Sequence, residues 1–154
     1  HQPQAEVVLA DLDADALDVA RINLARYNMS DVVEICQGDG LAAVRGQFDW
    51  IICNPPYVEA AEMDDIAAEY RHEPRQALVS GADGLDFTRR LLREAPDYLT
   101  ERGLLVLEVG MSWPQLEDAY PDAGFDWVEF EHGGEGVCII TADELLAWRE
   151  AGVV

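Results

Sequence analysis

Residues 48–57 of the chain read FDWIICNPPY, an apolar run followed by a proline-rich turn. Its first six residues are mostly apolar, which is typical of a strand buried in a sheet. The strand ends at Asn54, because the two prolines that follow fix φ and lack an N–H group. A residue before proline is also kept out of the helical region, so Asn54 does not begin a helix. The stretch therefore predicts a buried strand that ends in a rigid polar turn.

Strand-like and helix-like segments alternate on either side of this stretch. Upstream, EVVLA (6–10) and VVEIC (32–36) predict short buried strands, and the helical spacing of apolar residues between them predicts a helix capped by Asp13 or Asp15. This order predicts one α/β domain with a mostly parallel sheet and an antiparallel terminal hairpin. The downstream elements are a polar loop at 59–82, a helix opening at Asp83 with Pro96 as a kink or break near its end, a strand at 103–110, a short helix around 114–120, paired strands at 125–131 and 136–141, and a helix at 142–150.

Strands of a parallel sheet are covered on both faces, so their apolar residues are expected to be buried. This expectation covers seven residues in three predicted strands. They are Val7, Val8, Leu9, Ile51, Ile52, Leu105 and Leu107.

The charge of the chain is strongly negative. Its 154 residues are 49% hydrophobic and include 31 acidic against 10 basic residues, for a formal net charge of −21. All ten basic residues are arginines, which excludes a Schiff-base lysine and the lysine of a P-loop. The charge argues against direct nucleic-acid binding and fits solubility or a saline-tolerant source. No apolar run reaches membrane-spanning length and no signal peptide opens the chain, so we expect a cytoplasmic protein without membrane contact.

The cysteines and histidines do not predict a metal site. Cys36, Cys53 and Cys138 each stand in an apolar strand-like segment without CxxC spacing, which favours buried cytosolic thiols over disulfides or metal ligands. None of the three histidines stands at metal-ligand spacing from another.

Three polar signals follow predicted strands, at the edge of an open α/β sheet where ligands bind. Asp11 follows EVVLA, Asp39 follows VVEICQG, and Asn54 follows FDWIIC. A carboxylate at such a strand end can accept two hydrogen bonds from ribose hydroxyls. Each acid also has a simpler interpretation, Asp11 as a helix cap and Asp39 as a turn residue. The pattern alone leaves these alternatives open.

The third signal, Asn54-Pro55-Pro56-Tyr57, is more specific. Proline stiffens the turn and leaves carbonyl oxygens to accept hydrogen bonds. The Asn54 side-chain oxygen and the Pro55 carbonyl then form a rigid pair of acceptors beside an aromatic ring, which suits a planar NH2 group. The alternative is a strand-ending turn with a packed tyrosine. The preceding strand and the two upstream acids favour the functional interpretation.

NPPY after this strand resembles the motif of S-adenosylmethionine-dependent methyltransferases that modify planar NH2 nitrogens. Four further stretches are similar to the protein-glutamine N5-methyltransferases. Within that family, EYRHEP and GADGLD most resemble the branch that acts on the third protein of the large ribosomal subunit. The resemblance covers nearly the whole chain and implies a Rossmann-like class I methyltransferase fold. The stretches are EYRHEP (69–74), SGADGLDFTRRLL (80–92), GLLVLEVG (103–110) and FDWVEFEHGGEGVCIIT (125–141).

The resemblance implies S-adenosylmethionine as cofactor and a glutamine amide of that ribosomal protein as substrate. It places the cofactor's ribose at Asp11 and its adenine amino group near Asp39. Asn54, Pro55 and Tyr57 are the implied catalytic residues. The Asn54 side chain and the Pro55 carbonyl would accept the amide hydrogens, and Tyr57 would pack near the methyl group. Asn54 would thereby border the cofactor as well.

The chain departs from this family at its start. Relatives begin the catalytic domain with a strand and a glycine-rich loop, and Gly38, Gly40, Gly81 and Gly84 stand in the wrong place to substitute for that loop. We therefore expect residues 1–154 to be the C-terminal part of one methyltransferase domain, inactive alone and a very weak binder of S-adenosylmethionine. The unpaired neighbours of the absent central strand predict self-association, or partial disorder, along the gap.

Two other functions fit parts of the sequence. A methyltransferase that acts on an exocyclic amine of a nucleic-acid base would also use NPPY, although the net charge disfavours it. A non-catalytic fragment that binds a partner and transfers nothing is the alternative from another class. Arg71 and Glu73, in the loop at 59–82, either shape the substrate pocket or form a surface ion pair.

Overall fold

A computed structural model describes residues 5–61 and 74–154 of the protein. The chain divides into two compact units, His1–Gly46 and Gln47–Val154. The first is α/β with a parallel sheet, and the second is α/β with a mixed sheet.

The first unit is a two-stranded parallel sheet with one helix. Strand pairing runs from Val7 opposite Val33 to Asp11 opposite Gln37. Its elements are β1 (Val7–Asp11), α1 (Ala14–Arg26), β2 (Val33–Gln37) and a 3₁₀ turn at Gly40–Ala43.

The start of α1 follows from its acidic residues. Asp13 is the N-cap, and its side chain accepts a hydrogen bond from the Asp15 backbone N at 2.8 Å. Asp15 lies in the first turn, where a negative charge interacts favourably with the helix dipole. Of the two predicted caps, the structure therefore selects Asp13. Leu17 is the buried residue through which α1 packs on the sheet.

The second unit contains a four-stranded sheet in the order β3-β4-β6-β5. β3 and β4 pair in parallel, whereas β6 pairs antiparallel with both β4 and β5. The predicted antiparallel hairpin near the end of the chain is confirmed, but its first strand, predicted over 125–131, is only Asp126–Trp127. The elements are β3 (Phe48–Cys53), α2 (Arg75–Leu78), α3 (Asp86–Tyr98), β4 (Leu99–Glu108), a 3₁₀ turn at Gly110–Ser112, α4 (Trp113–Ala119), β5 (Asp126–Trp127), β6 (Val137–Thr141) and α5 (Ala142–Glu150).

One face of this sheet forms the core of the second unit. Ile51, Leu105 and Ile140 stand opposite one another on three neighbouring strands and are buried. Helices α3 and α5 both contact β4, and α3 contributes buried leucines. The register places Ile52 on the opposite face, where it is 75% exposed. The covered face thus holds most of the buried apolar surface of this unit.

The expectation of burial on both strand faces is only partly met. Val7, Leu9 and Ile52 are exposed, so that prediction is wrong for them, and Val8 is half-buried. The reason is that a strand residue is buried only where another layer lies over its face, and the described residues cover one face of each strand in question. The residues buried as predicted are Ile51, Leu105 and Leu107.

Helix α3 begins three residues later than the sequence predicts. Asp83 does not open the helix. Its carboxylate accepts a hydrogen bond from the Leu85 backbone N at 3.2 Å and binds Arg89 within the helix. Pro96 lies inside α3, two residues before its end at Tyr98. The final helix, α5, has the predicted bounds and begins with a reciprocal capping box at Thr141.

Candidate active site

The two predicted acids of the first unit lie at the same edge of its sheet. Asp11 is the last residue of β1 and stands opposite Gln37, the last residue of β2. The Gly38 backbone N donates to the Asp11 carbonyl oxygen at 3.0 Å, and Asp39 follows directly. Because β1 and β2 are parallel, their carboxyl ends meet, and the chain brings both acids to that edge.

Asp11 organises the turn between β1 and α1 and does not cap the helix. Its Oδ1 atom accepts a hydrogen bond from the Asp13 backbone N at 2.8 Å, whereas Asp13 caps α1. The Asp11 side chain is exposed, and each carboxylate oxygen has two lone pairs, so it can accept further hydrogen bonds from hydroxyl groups. Asp39 is also exposed and precedes the 3₁₀ turn at Gly40–Ala43. Both positions fit polar recognition of a sugar or a base.

In the second unit, the NPPY turn leaves the carboxyl end of β3. Cys53 ends the strand in register with Leu107 of β4. Asn54 is exposed, Pro55 is buried, and Tyr57 is half-buried. The turn is therefore anchored through Pro55 while it presents the Asn54 amide to the surroundings.

Tyr57 is contacted by residues that are distant from it in the sequence. The Ser112 hydroxyl donates a hydrogen bond to the Tyr57 carbonyl oxygen at 3.0 Å. Gly84, at φ +75°, lies so close that a Cβ atom there would overlap the same carbonyl. Gly110, at φ +51°, packs on the Tyr57 ring, and an added Cβ atom would lie 3.0 Å from the Tyr57 hydroxyl oxygen.

The segment after Tyr57 is tied to the loop that precedes α3. The Val58 backbone N donates to the Leu78 carbonyl at 2.8 Å, and the Ser80 backbone N donates to the Val58 carbonyl at 3.1 Å. The Ala60 backbone N donates to the Gly81 carbonyl at 3.1 Å. These bonds form a short parallel bridge, so NPPY has a backbone connection to residues 78–81.

An ion pair stiffens the loop at 81–86. The Arg89 guanidinium binds both carboxylate oxygens of Asp83, at 2.9 Å and 2.5 Å. Hydrogen bonding from Arg89 lowers the pKa of Asp83 to about 2, so Asp83 is ionised at neutral pH. The buried Ser80 hydroxyl accepts from the Phe87 backbone N at 2.8 Å and joins the loop to the helix start. The loop that carries Gly84 is therefore well fixed.

The thiols of the second unit are poor nucleophiles. Burial raises the pKa of Cys53 to about 11. Burial, with a smaller contribution from Asp126, raises the pKa of Cys138 to about 12. Both are protonated near neutral pH and do not supply a thiolate. Cys138 is buried as predicted, whereas Cys36 and Cys53 are half-buried.

The described residues contain neither a metal-binding cluster nor a membrane-spanning helix. Across 5–61 and 74–154, no group of three or more histidine, cysteine or acidic side chains is placed to hold a metal ion. Within the same ranges, no helix is long and apolar enough to cross a bilayer. Arg71 and Glu73 lie outside these ranges, so their predicted roles stay predictions.

The Tyr57 contacts had only a weak signal in the sequence. Ser112 is 55 positions from Tyr57, and local patterns do not report contacts over such a distance. The DG pair at 83–84 does indicate a turn with positive φ, but not the residue that the turn approaches.

The known proteins that this chain resembles are methyltransferases. The family model described as "Methyltransferase small domain" matches residues 1–84. Among curated proteins, the "Ribosomal protein uL3 glutamine methyltransferase" of Francisella tularensis is 42% identical over 148 residues, which are 96% of this chain and 47% of the relative. The protein of the same name from Neisseria gonorrhoeae is 40% identical over 146 residues, which are 95% of this chain and 49% of that relative.

Solved structures share the fold at lower identity. A methyltransferase from Pyrococcus furiosus matches with a TM-score of 0.62 and 23% identity, over 89% of this chain and 62% of its own. TrmN from Thermus thermophilus matches with a TM-score of 0.59 and 20% identity, over 90% of this chain and 37% of its own.

The fold is that of an α/β protein of the Rossmann-like class I methyltransferase type. The chain belongs to the methyltransferase small domain family. It spans about half the length of the curated relatives it matches.

Proposed function

We propose that the protein containing this chain transfers a methyl group from S-adenosylmethionine to the side-chain amide nitrogen of a glutamine in ribosomal protein uL3. The observation that carries the proposal is the NPPY turn, whose Asn54 is exposed at the end of β3 while Pro55 is buried and the Tyr57 carbonyl is held by Ser112. Relatives 40–42% identical to the chain carry the name of this activity.

The strand-end acids of the first unit fit the proposed cofactor. Asp11 is exposed at the carboxyl end of a parallel strand, which suits the ribose hydroxyls, and Asp39 at the same edge suits the adenine amino group. S-adenosylmethionine, when bound, supplies an electrophilic methyl group on a sulfonium. The protein's own contribution at this edge is to bind and orient.

The NPPY turn is proposed to activate the substrate amide. An amide nitrogen is a poor nucleophile because its lone pair is delocalised into the carbonyl. The Asn54 side-chain oxygen and the Pro55 carbonyl would each accept one N–H hydrogen, which raises electron density on nitrogen and orients it. Tyr57 would pack against the amide. No side chain has to remove a proton before the attack, because the methylated nitrogen would release one N–H proton to water afterwards. The raised pKa of Cys53, next to the turn, therefore does not impede the reaction.

The length, charge and cysteines of the chain bear on its domain organisation, its substrate and its compartment. We propose that residues 1–154 are the C-terminal part of a single catalytic domain, in line with the length of the relatives. The net charge of −21 favours a basic protein substrate over nucleic acid. Three free cysteines fit the reducing cytoplasm, where the protein is proposed to act.

The test is a methyl-transfer assay with the longest natural form of the protein. It is offered S-adenosylmethionine labelled in the methyl group together with purified uL3, or with ribosomal RNA or transfer RNA as alternative acceptors. We expect label in uL3, and mass spectrometry should place it on a glutamine side chain. Label in nucleic acid would favour a base methyltransferase instead. Absence of label in every acceptor would contradict the proposed activity.

A further inference from the structure

The NPPY turn is fixed at both of its ends. At the start, Cys53 lies in the β3–β4 ladder opposite Leu107. At the far end, the Tyr57 carbonyl accepts the hydrogen bond from Ser112. Between these points two prolines fix φ, which stiffens the turn. At this far end the Ser112 contact adds a side-chain hydrogen bond to the backbone bridge between Val58 and residues 78–80.

We propose that Ser112 is a positioning residue for the amide site. By holding the Tyr57 carbonyl, it fixes the turn that presents the Asn54 side-chain oxygen and the Pro55 carbonyl. This inference rests on the proposed function, because the substrate amide is the group that the turn is proposed to bind.

The 3₁₀ turn that carries Ser112 is fixed by contacts of its own. Ser112 ends the 3₁₀ turn that begins at Gly110, and Gly110 itself packs on the Tyr57 ring. The carbonyl of Gly110 lies so close to Gly136 that a Cβ there would overlap it, and the Gly136 carbonyl accepts from the Val109 backbone N at 2.7 Å. The 3₁₀ turn is therefore held against β6, and Ser112 is offered to Tyr57 from a fixed support.

The size of the expected effect follows from the remaining contacts. Without the Ser112 hydroxyl, the backbone bridge from Val58 to Leu78 still retains the segment, so the turn should loosen and not unfold. A hydrogen bond of this kind contributes enough to change an equilibrium about tenfold. Misplacement of reacting groups by about 1 Å can lower a rate by about a hundredfold. We therefore expect kcat to fall by about tenfold, less than the hundredfold loss that a full 1 Å misplacement would cause.

The test compares Ser112→Ala with Ser112→Thr, which keeps the hydroxyl. Thr141→Ala is the matched control, because it also removes a hydroxyl that binds backbone, at the α5 capping box and outside the proposed site. Two quantities are measured. The first is kcat with the KM for S-adenosylmethionine, in the longest natural form. The second is hydrogen exchange of the Val58 and Ala60 amides, which bridge to residues 78–81.

The inference predicts that Ser112→Ala lowers kcat and accelerates exchange at Val58 and Ala60, each by about tenfold, with the KM for the cofactor unchanged. Ser112→Thr should restore both quantities, and Thr141→Ala should alter neither. Unchanged exchange in Ser112→Ala would overturn the inference, as would faster exchange with unchanged kcat or an equal loss in Thr141→Ala. If the wild-type protein does not methylate uL3, the proposed function fails, whereas the exchange data still decide whether Ser112 holds the turn.

Discussion

At the scale of single residues, the Asp83–Arg89 pair joins the loop before α3 to the helix itself. Arg89 contacts both oxygens of the carboxylate, a geometry that gives stronger hydrogen bonds than a single contact. The Asp83 side chain is 47% exposed and that of Arg89 is 30% exposed, so solvent weakens the attraction. The pair thus stabilises the loop that carries Gly84 by a modest amount.

We predict that Asp83→Asn lowers the free energy of unfolding by about 1 kcal/mol near neutral pH, after allowance for solvent exposure. The folded state depresses the pKa of Asp83 from 3.8 to about 2, so the stabilisation is present above the unfolded value and is lost as the pH falls toward 2. Urea unfolding of wild type and variant across this range is the measurement. The difference between them should close in acid, and a constant difference would contradict the prediction.

Asp86→Asn is the matched control for that experiment. Its carboxylate lies 3.5 Å from the same Arg89 and is 69% exposed, so its loss should destabilise the protein less than the loss of Asp83.

The sequence predicted which candidate residues follow strands, but it did not predict the residues that contact Tyr57 from distant parts of the chain. Asp11 ends β1 in the first unit and Asn54 follows β3 in the second, each after an apolar run that the sequence identifies as a strand. Ser112 and Gly84 reach Tyr57 through tertiary contacts, which depend on how α3 and β4 pack. A local pattern contains no information about that packing.

At the scale of elements, β3 is the strand with the most exposed apolar surface in the second unit. It is at one end of the strand order, and Trp50 and Ile52 are 62% and 75% exposed. An edge strand with apolar side chains is a template for pairing with another chain. The net charge of −21 opposes such association at low salt, and salt screens that repulsion. These features support the predicted self-association.

We predict that the purified 154-residue chain associates as its concentration rises, and more strongly at about 0.5 M salt than at about 0.01 M. Ile52→Lys should reduce this association, because a charge on an exposed edge strand disfavours pairing. Sedimentation velocity is the measurement. The control is Phe130→Lys, which makes the same charge change at an exposed residue outside the strands and should leave association intact. A chain that stays monomeric in all these conditions would contradict the prediction.

Element bounds followed the sequence where local and tertiary signals agreed. β3 and α5 begin and end at the predicted residues, because the two prolines terminate β3 and the capping box fixes the start of α5. β4 begins at Leu99, four residues before the apolar run predicted at 103–110. The exposure of Val7, Leu9 and Ile52 could not be predicted, because the burial of a strand residue depends on the layer that covers its face of the strand.

For the whole molecule, the acidic charge and the candidate site have different expected effects on a substrate. The charge of −21 affects which partners approach and how fast, whereas NPPY is proposed to act on the substrate amide. A basic ribosomal protein would be attracted at long range, and the attraction would weaken as salt is added. The rigid turn at the end of β3 would then select a planar amide. Asn54 is proposed to act on the reacting nitrogen.

The decisive measurement is the kcat of Asn54→Ala together with its dissociation constant for S-adenosylmethionine. Both are compared with those of the wild type, in the longest natural form of the protein. We predict that kcat falls about a hundredfold or more while cofactor affinity changes far less, because the contact strengthens as charge develops on the nitrogen. Asp11→Ala is the opposite control and should weaken cofactor binding first. Equal losses of kcat and cofactor affinity in Asn54→Ala would contradict the account and make Asn54 a structural residue.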